Sequence, residues 1–278
     1  MIDAHQHYWN PARGDYDWMP MDNAILARPY TPHDLAPALI DAGISHTVLV
    51  QAAATVEETE YMLGIADATD SVAGVVGWVD FERPDHRAHL ERLAGHPKFK
   101  GVRPMIQDIP DVDWMLRDDV QWGYQAVTDL DLTFDALGFP QHLDNFLTLL
   151  SRYPDMRVVL DHCMKPVIRA HSPENLDRWA AGMTRLANET QAYCKFSGLV
   201  TEATEDWTVE ALRPYADHVI EAFGPDRVMW GSDWPVCRLR GEYTDWRKAA
   251  VELTSDLSDE ERHRIFQGTA REFYRLAL

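Results

Sequence analysis

The chain has 278 residues, 46% hydrophobic and 26% charged, with 26 Lys and Arg against 45 Asp and Glu, for a formal charge of -19. That composition supplies a sizeable apolar core, and the length suits one α/β barrel, which typically uses about 250 residues. So large an acidic excess repels polyanions over most of the surface and argues against nucleic acid or anionic membrane as a partner. The three cysteines, Cys163, Cys194 and Cys237, are odd in number and far apart, which argues against a disulfide framework and a zinc ribbon and fits a reducing compartment. The opening MIDAHQHYW has neither a basic nor an apolar segment of signal-peptide length, and no run of about 18 apolar residues occurs. The expectation is a cytoplasmic protein.

Short apolar runs alternate with amphipathic stretches along the whole chain, the rhythm of a parallel α/β sheet. The first strand is expected over 2–5, followed by a long polar and aromatic loop over 7–30. Thr31, Pro32 and Asp34 then offer an N-cap, a proline at the first helical position and an early acid, with Gly43 as the stop. A second strand spans 46–51, and Thr55-Val56-Glu57-Glu58 opens a helix to about Asp67. Strands over 72–79 and 99–103 follow. The stretch 104–130, with Trp114, Trp122 and Tyr124, reads as a loop carrying a short extra helix. Loops of this length in a compact domain tend to be functional.

Further strands are expected over 132–136, 157–161, 192–197 and 227–231. Ser172-Pro173-Glu174 starts a helix that carries Leu176, Trp179 and Met183, while Pro154 and Gly224-Pro225 punctuate the chain before strands six and eight. There is no repeat and no composition break. Eight strand–helix units favour a single-domain (β/α)8 barrel over 1–278 rather than an open sheet of five or six strands, and no glycine loop supports a dinucleotide site.

Chemistry concentrates at the expected strand ends. In Asp3-Ala4-His5-Gln6-His7 a period of two puts His5 and His7 on one face, aimed at the mouth, and two such imidazoles suit a metal or proton transfer. A lone histidine is more often a core hydrogen-bonding group; a pair at a strand end is not. Val228-Met229-Trp230 runs into Gly231-Ser232-Asp233-Trp234-Pro235, an acid at the end of a barrel strand, which reads as catalytic, although an Asp that caps a turn is the ordinary alternative. His162, after Val158-Val159-Leu160-Asp161, reads as a polar group in the mouth or as a supporting histidine.

IDAHQHYW, KGVRPMIQD, VVLDHCMKP, KFSGL, VMWGSDWP and IFQGTAREFYRL together resemble the amidohydrolase superfamily over nearly the whole chain, and within it the sugar-acid lactonase branch of the L-fuconolactonase and L-rhamnonolactonase kind. The resemblance implies that Asp233 is the general base on the hydrolytic water, with His5, His7 and His162 around it. Members with two metals carry a modified lysine at the end of strand four, where this chain has Arg103, and Lys100 near the strand's beginning. Many relatives have a histidine near the end of strand five, where Asp135 stands. The expectation is at most one divalent ion, zinc favoured, on His5, His7 and Asp233, with His162 or Glu202 in reserve, and a dispensable metal is equally compatible.

Arg103 is the candidate for substrate contact, since a guanidinium can polarise a carbonyl or fork onto hydroxyls; a plain ion pair is its alternative. Trp9 and Trp234 are candidates to stack on a sugar ring, although core packing accounts for most tryptophans. The expected substrate is a small neutral sugar lactone, and a homo-oligomer is compatible with the chain. Two rivals stand beside the lactonase. One is a metal-dependent decarboxylase for an aromatic or muconate-type acid, which needs a cation beside Arg103 such as Arg13, Arg28 or Lys165. The other is a silent ligand-binding barrel, in which His5, His7 and Asp233 would not converge.

Overall fold

Eight parallel strands lie side by side in chain order in the computed structural model, which describes residues 1–278. They are β1 (Ile2–Gln6), β2 (His46–Val50), β3 (Val72–Gly77), β4 (Phe99–Val102), β5 (Thr133–Ala136), β6 (Arg157–Leu160), β7 (Tyr193–Phe196) and β8 (Val228–Trp230). All eight fall inside or within a residue of the runs expected from sequence. The last strand returns to the first: Asp233 N–H donates to the His5 carbonyl at 2.8 Å and His7 N–H to that of Trp234 at 2.7 Å, so the sheet closes into a barrel.

Helices separate the strands: α1 (Pro32–Ala42), α2 (Val56–Asp67), α3 (Arg87–Ala94), α4 (Gln121–Asp129), α5 (Leu143–Arg152), α6 (Pro173–Glu189), α7 (Leu199–Glu202) and α8 (Val209–Phe223), with α9 (Tyr243–Leu253), α10 (Asp259–His263) and α11 (Thr269–Phe273) after β8. The capping residues read from sequence hold the first turns. Asp34 accepts from the Thr31 N–H and hydroxyl, while Thr55 and Ser172 accept from the N–H groups of Glu58 and Asn175. Such caps satisfy donors that a helix start leaves open. No helix is long and apolar enough to cross a membrane.

The two unusual stretches differ from one another. Residues 7–30 fold back on themselves, with Trp9 and Tyr30 exchanging backbone hydrogen bonds of 3.1 and 2.9 Å. In 104–130 the extra helix resolves into three 3-10 turns (Ile106–Asp108, Trp114–Leu116 and Asp118–Val120), and Trp122 and Tyr124 belong to α4, the helix that follows β4 in the ordinary barrel alternation.

Most of the core lies between sheet and helices, and a smaller apolar cluster fills the barrel itself. Ile2, Ala4, Val48, Val50, Val159 and Met229 meet there with Phe273, Tyr274 and Leu276, so the C-terminal segment plugs one end. Above that plug the interior turns polar, with Asp135, Lys195, Asp161 and His5 fully buried.

Candidate active site

The C-terminal ends of the strands bring His5, His7, His162, Arg103 and Asp233 together. His7 Nε2 lies 3.3 Å from Asp233 Oδ1, with His5 Nε2 and His162 Nε2 each at 3.8 Å. His5 and His7 face each other through Nε2 at 3.2 Å. A cavity of about 220 Å3 opens above them, lined by His7, Arg103, His162, Lys165 and Asp233 among others.

Strict alternation along β1 does not account for this. Asp3 faces outward, where its carboxylate accepts from Tyr243 Oη at 3.1 Å, and Ala4 belongs to the barrel interior. His5 shares the parity of Asp3 yet points inward, because the pairing with β2 shifts register between Asp3 and Gln6. A bulge of this kind re-aims side chains. Gly231 makes room for it, since a Cβ there would stand 2.8 Å from His5 Cβ.

His162 and Lys165 reach the cavity by a different route. Residues 162–165 all have positive φ, from 48 to 56°, a single left-handed turn that presents both side chains on one side. L-residues pay roughly 1–2 kcal/mol each for that conformation, and strain of this kind collects at functional sites. The Trp179 indole holds the turn by donating to the Cys163 carbonyl at 2.8 Å. Cys163 itself points away and donates to the Lys195 carbonyl. Asp233 also sits at positive φ, 56°.

Burial depresses the His162 pKa to about 4 and holds His5 and His7 below the ordinary imidazole value, so all three are neutral near pH 7. Burial alone would raise the Asp233 pKa, but His162 and His7 beside it keep it below the usual carboxylate value. The site therefore holds an ionised carboxylate among neutral imidazoles. His7 Nδ1–H donates to the Val50 carbonyl at 2.7 Å, which turns its Nε2 toward Asp233. His162 Nδ1 is 2.9 Å from Ser197 Oγ.

Arg103 forms the ion pair that was its alternative reading and also faces the cavity. Its Nη1 pairs with Asp161 at 3.3 Å and also lies 3.3 Å from His5 Nε2, while Nη2 donates to the Gln51 carbonyl, and the side chain lines the cavity. Trp9 lines the cavity edge, but it is fully buried, with its N–H on the Leu26 and Arg28 carbonyls. Trp234 is a correction: it lies outside the cavity, its ring packed against Tyr30 at 4.9 Å and Tyr8 at 6.0 Å. The left-handed backbone at Asp233 and the aromatic side chains of the 7–30 loop place it there. Of the three cations proposed as neighbours of Arg103, only Lys165 enters the cavity; Arg13 and Arg28 pair with Asp15 and Asp34 outside it. Glu202 does not line it either, being 3.7 Å from Arg169.

Sequence reasoning missed the group beneath the site. Lys195 Nζ donates to Asp135 Oδ2 at 2.5 Å and to His5 Nδ1 at 3.0 Å, and lies 3.0 Å from Asp161 Oδ1; Tyr274 donates to Asp135 at 2.7 Å. A lysine inside an apolar strand was the available signal, because a fully buried lysine is rare unless paired. With Lys195 donating to Nδ1, the His5 proton sits on Nε2.

His5 Nε2, His7 Nε2 and Asp233 Oδ1, mutually 3.2–3.8 Å apart, fit three ligands of one tetrahedral ion, whose ligand bonds run about 2.0–2.2 Å. A second grouping, His5, Asp161 and His162, has the Lys195 ammonium against it. Lys100 lies far from both, its Nζ on the Pro97 carbonyl at the opposite end of β4.

This is an α/β barrel with a histidine and aspartate centre at its mouth, and residues 2–276 match the family model described as Amidohydrolase. The chain belongs to the amidohydrolase family. It is 42% identical to an L-fucono-1,5-lactonase of Burkholderia ambifaria, covering 99% of this chain and 95% of that one, and 35% identical to an L-fucono-1,5-lactonase of Burkholderia multivorans, covering 99% and 96%. A crystal structure of an amidohydrolase from Burkholderia multivorans with bound zinc superimposes with a TM-score of 0.92 at 34% identity, over 99% of both chains.

Proposed function

We propose that the protein hydrolyses a neutral sugar lactone of the L-fucono- or L-rhamnono-lactone kind to the free sugar acid. The observation that carries this reading is the ionised Asp233 among three neutral imidazoles and the Arg103 guanidinium, at a cavity of about 220 Å3. Its similarity to two L-fucono-1,5-lactonases supports the same conclusion.

Asp233 takes a proton from water as its oxygen attacks the lactone carbonyl carbon. Arg103 Nη1 and the His5 Nε2–H donate to the carbonyl oxygen as it gains charge. When the ring C–O bond breaks, the ring oxygen recovers the proton from Asp233. His162, fixed by Ser197, holds the carboxylate in line. An ester is an easier electrophile than an amide, which supports its hydrolysis by these groups.

His5, His7 and Asp233 would hold one divalent ion, zinc favoured, which when bound would polarise oxygen and make water more acidic. The occupied Lys195 position beneath His5 supports a stoichiometry of at most one, and the cationic Arg103 beside the ligands supports weak, dispensable binding. Proton release from a panel of aldonolactones, with and without chelator and beside elemental analysis, tests all of this. Hydrolysis of a neutral aldonolactone with at most one ion per chain is expected. Two tightly bound ions would overturn the stoichiometry, and inactivity across the panel would overturn the lactonase.

One observation favours a second reading. Lys165, held by the Gln107 carbonyl oxygen at 2.6 Å, gives the cavity a second cation that an aromatic or muconate-type acid could use. Release of carbon dioxide from such an acid, in place of acid release from lactones, would select it.

A further inference from the structure

The catalytic cavity continues past its own wall. Trp18 and Met105 line it on one side and, on the other, line a groove of about 680 Å3. Ligand pockets run about 300–1,000 Å3, so the groove is large enough for a ligand group of its own while the catalytic cavity is small. It is built by the two long stretches, 14–18 from one and 104–114 from the other, laid over the loops after β2 and β3.

Its walls are aromatic. Trp18 is 36% exposed, its N–H donating to the Ala52 carbonyl at 2.5 Å, and it is joined by the half-buried Trp78 and by Trp114. The polar lining has one sign, five carboxylates and no basic side chain. Arg13 and Arg117 neutralise Asp15 and Glu82 from outside at 2.6 and 3.0 Å, whereas Asp17, Asp80 and Asp108 form no ion pair. Carboxylates outside ion pairs accept O–H groups and repel anions, and indole faces accept the C–H face of a ring. Gln107 joins the two spaces: its Oε1 accepts from Lys165 in the catalytic cavity and its Nε2 donates to Asp108 in the groove at 3.3 Å.

We propose that the groove is a glycosyl subsite, so that the enzyme accepts aldonolactones bearing a neutral sugar on a ring hydroxyl, with the lactone beside Asp233 and the sugar across Trp18 against Trp78. This rests on the lactonase reading. The bond broken is still the lactone C–O.

The test compares L-fucono-1,5-lactone with its 3-O- and 4-O-β-D-galactosyl derivatives in the wild type, Trp78→Ala and Asp17→Asn. At least one glycosyl lactone is expected to have a KM lower than the parent by about fivefold, the scale of an aromatic contact. Each variant should lose that gain and keep the parent's kcat/KM. Hydrolysis of the parent with both derivatives refused, or a glycosyl KM indifferent to both substitutions, would overturn the subsite. If no lactone is hydrolysed, the lactonase reading fails, and tryptophan fluorescence titrated with methyl β-lactoside then decides the groove. Saturable binding weakened by Trp78→Ala supports it, and no binding overturns it. Tighter binding of the cationic methyl β-glucosaminide than of neutral methyl β-glucoside would overturn the assignment to a neutral sugar.

Discussion

Lys195 and Asp233 are both buried charges in the same barrel, one within β7 and the other just past β8, yet their surroundings differ. The three N–H groups of Lys195 meet Asp135, Asp161 and His5, and Asp135 receives Tyr274 as well. Asp233 has imidazole nitrogens at 3.3–3.8 Å and opens on a cavity. A fully paired buried network makes a rigid floor and is costly to break. A carboxylate short of partners keeps its lone pairs for a water. The lower group holds shape and the upper one does chemistry, and His5 belongs to both. Substitutions that separate stability from turnover test this division.

The largest expected effect is on the floor. Lys195→Met leaves Asp135 buried without its cation and Asp161 with Arg103 alone, and breaking a buried pair costs about 3–5 kcal/mol. Thermal and denaturant unfolding should register that loss, and an unchanged midpoint would show that the two carboxylates have other means of neutralisation. Asp233→Asn should do the reverse, lowering kcat by at least about a hundredfold as expected for a lost general base, at near-native stability. Near-normal turnover in the folded variant would remove Asp233 from its role.

Arg103 spans the two groups, so it should move both readouts. Arg103→Met is expected to reduce kcat/KM by an amount worth up to about 3 kcal/mol, the scale of a charged hydrogen bond, and to lower stability through the loss of Asp161's partner. Loss of stability alone, with kinetics unchanged for every lactone, would make it an ion-pair residue only.

The same division governs what was legible in the sequence. The barrel was readable because each strand is an apolar run between strong caps and turns, as at Thr31, Thr55 and Ser172. His5, His7, His162 and Asp233 were readable because they stand at strand ends. What escaped depends on contacts between distant parts of the chain. Lys195 meets Asp135 across 60 residues, and Tyr274 meets it across 139. The inward turn of His5 depends on a register shift that no alternation pattern encodes, and the outward packing of Trp234 on a loop whose fold is not periodic.

Tyr274→Phe is the mildest way to probe the floor. The Asp135 carboxylate raises the Tyr274 pKa further after burial has done so, and the phenol therefore stays a proton donor at any ordinary pH. The substitution removes that one donor and keeps the ring, which packs edge-on against Phe273 at 4.8 Å. Asp135 retains the Lys195 ammonium, so the loss should stay at about 1.5 kcal/mol, the low end for a hydrogen bond to a charged group. Because the Tyr274 hydroxyl donates to Asp135 rather than to a cavity residue, kcat and KM should stay at wild-type values while the unfolding midpoint falls. A kinetic change as large as that of Arg103→Met would mean that the floor transmits its geometry through Lys195 to His5, and the separation between scaffold and chemistry would have to be redrawn above Lys195.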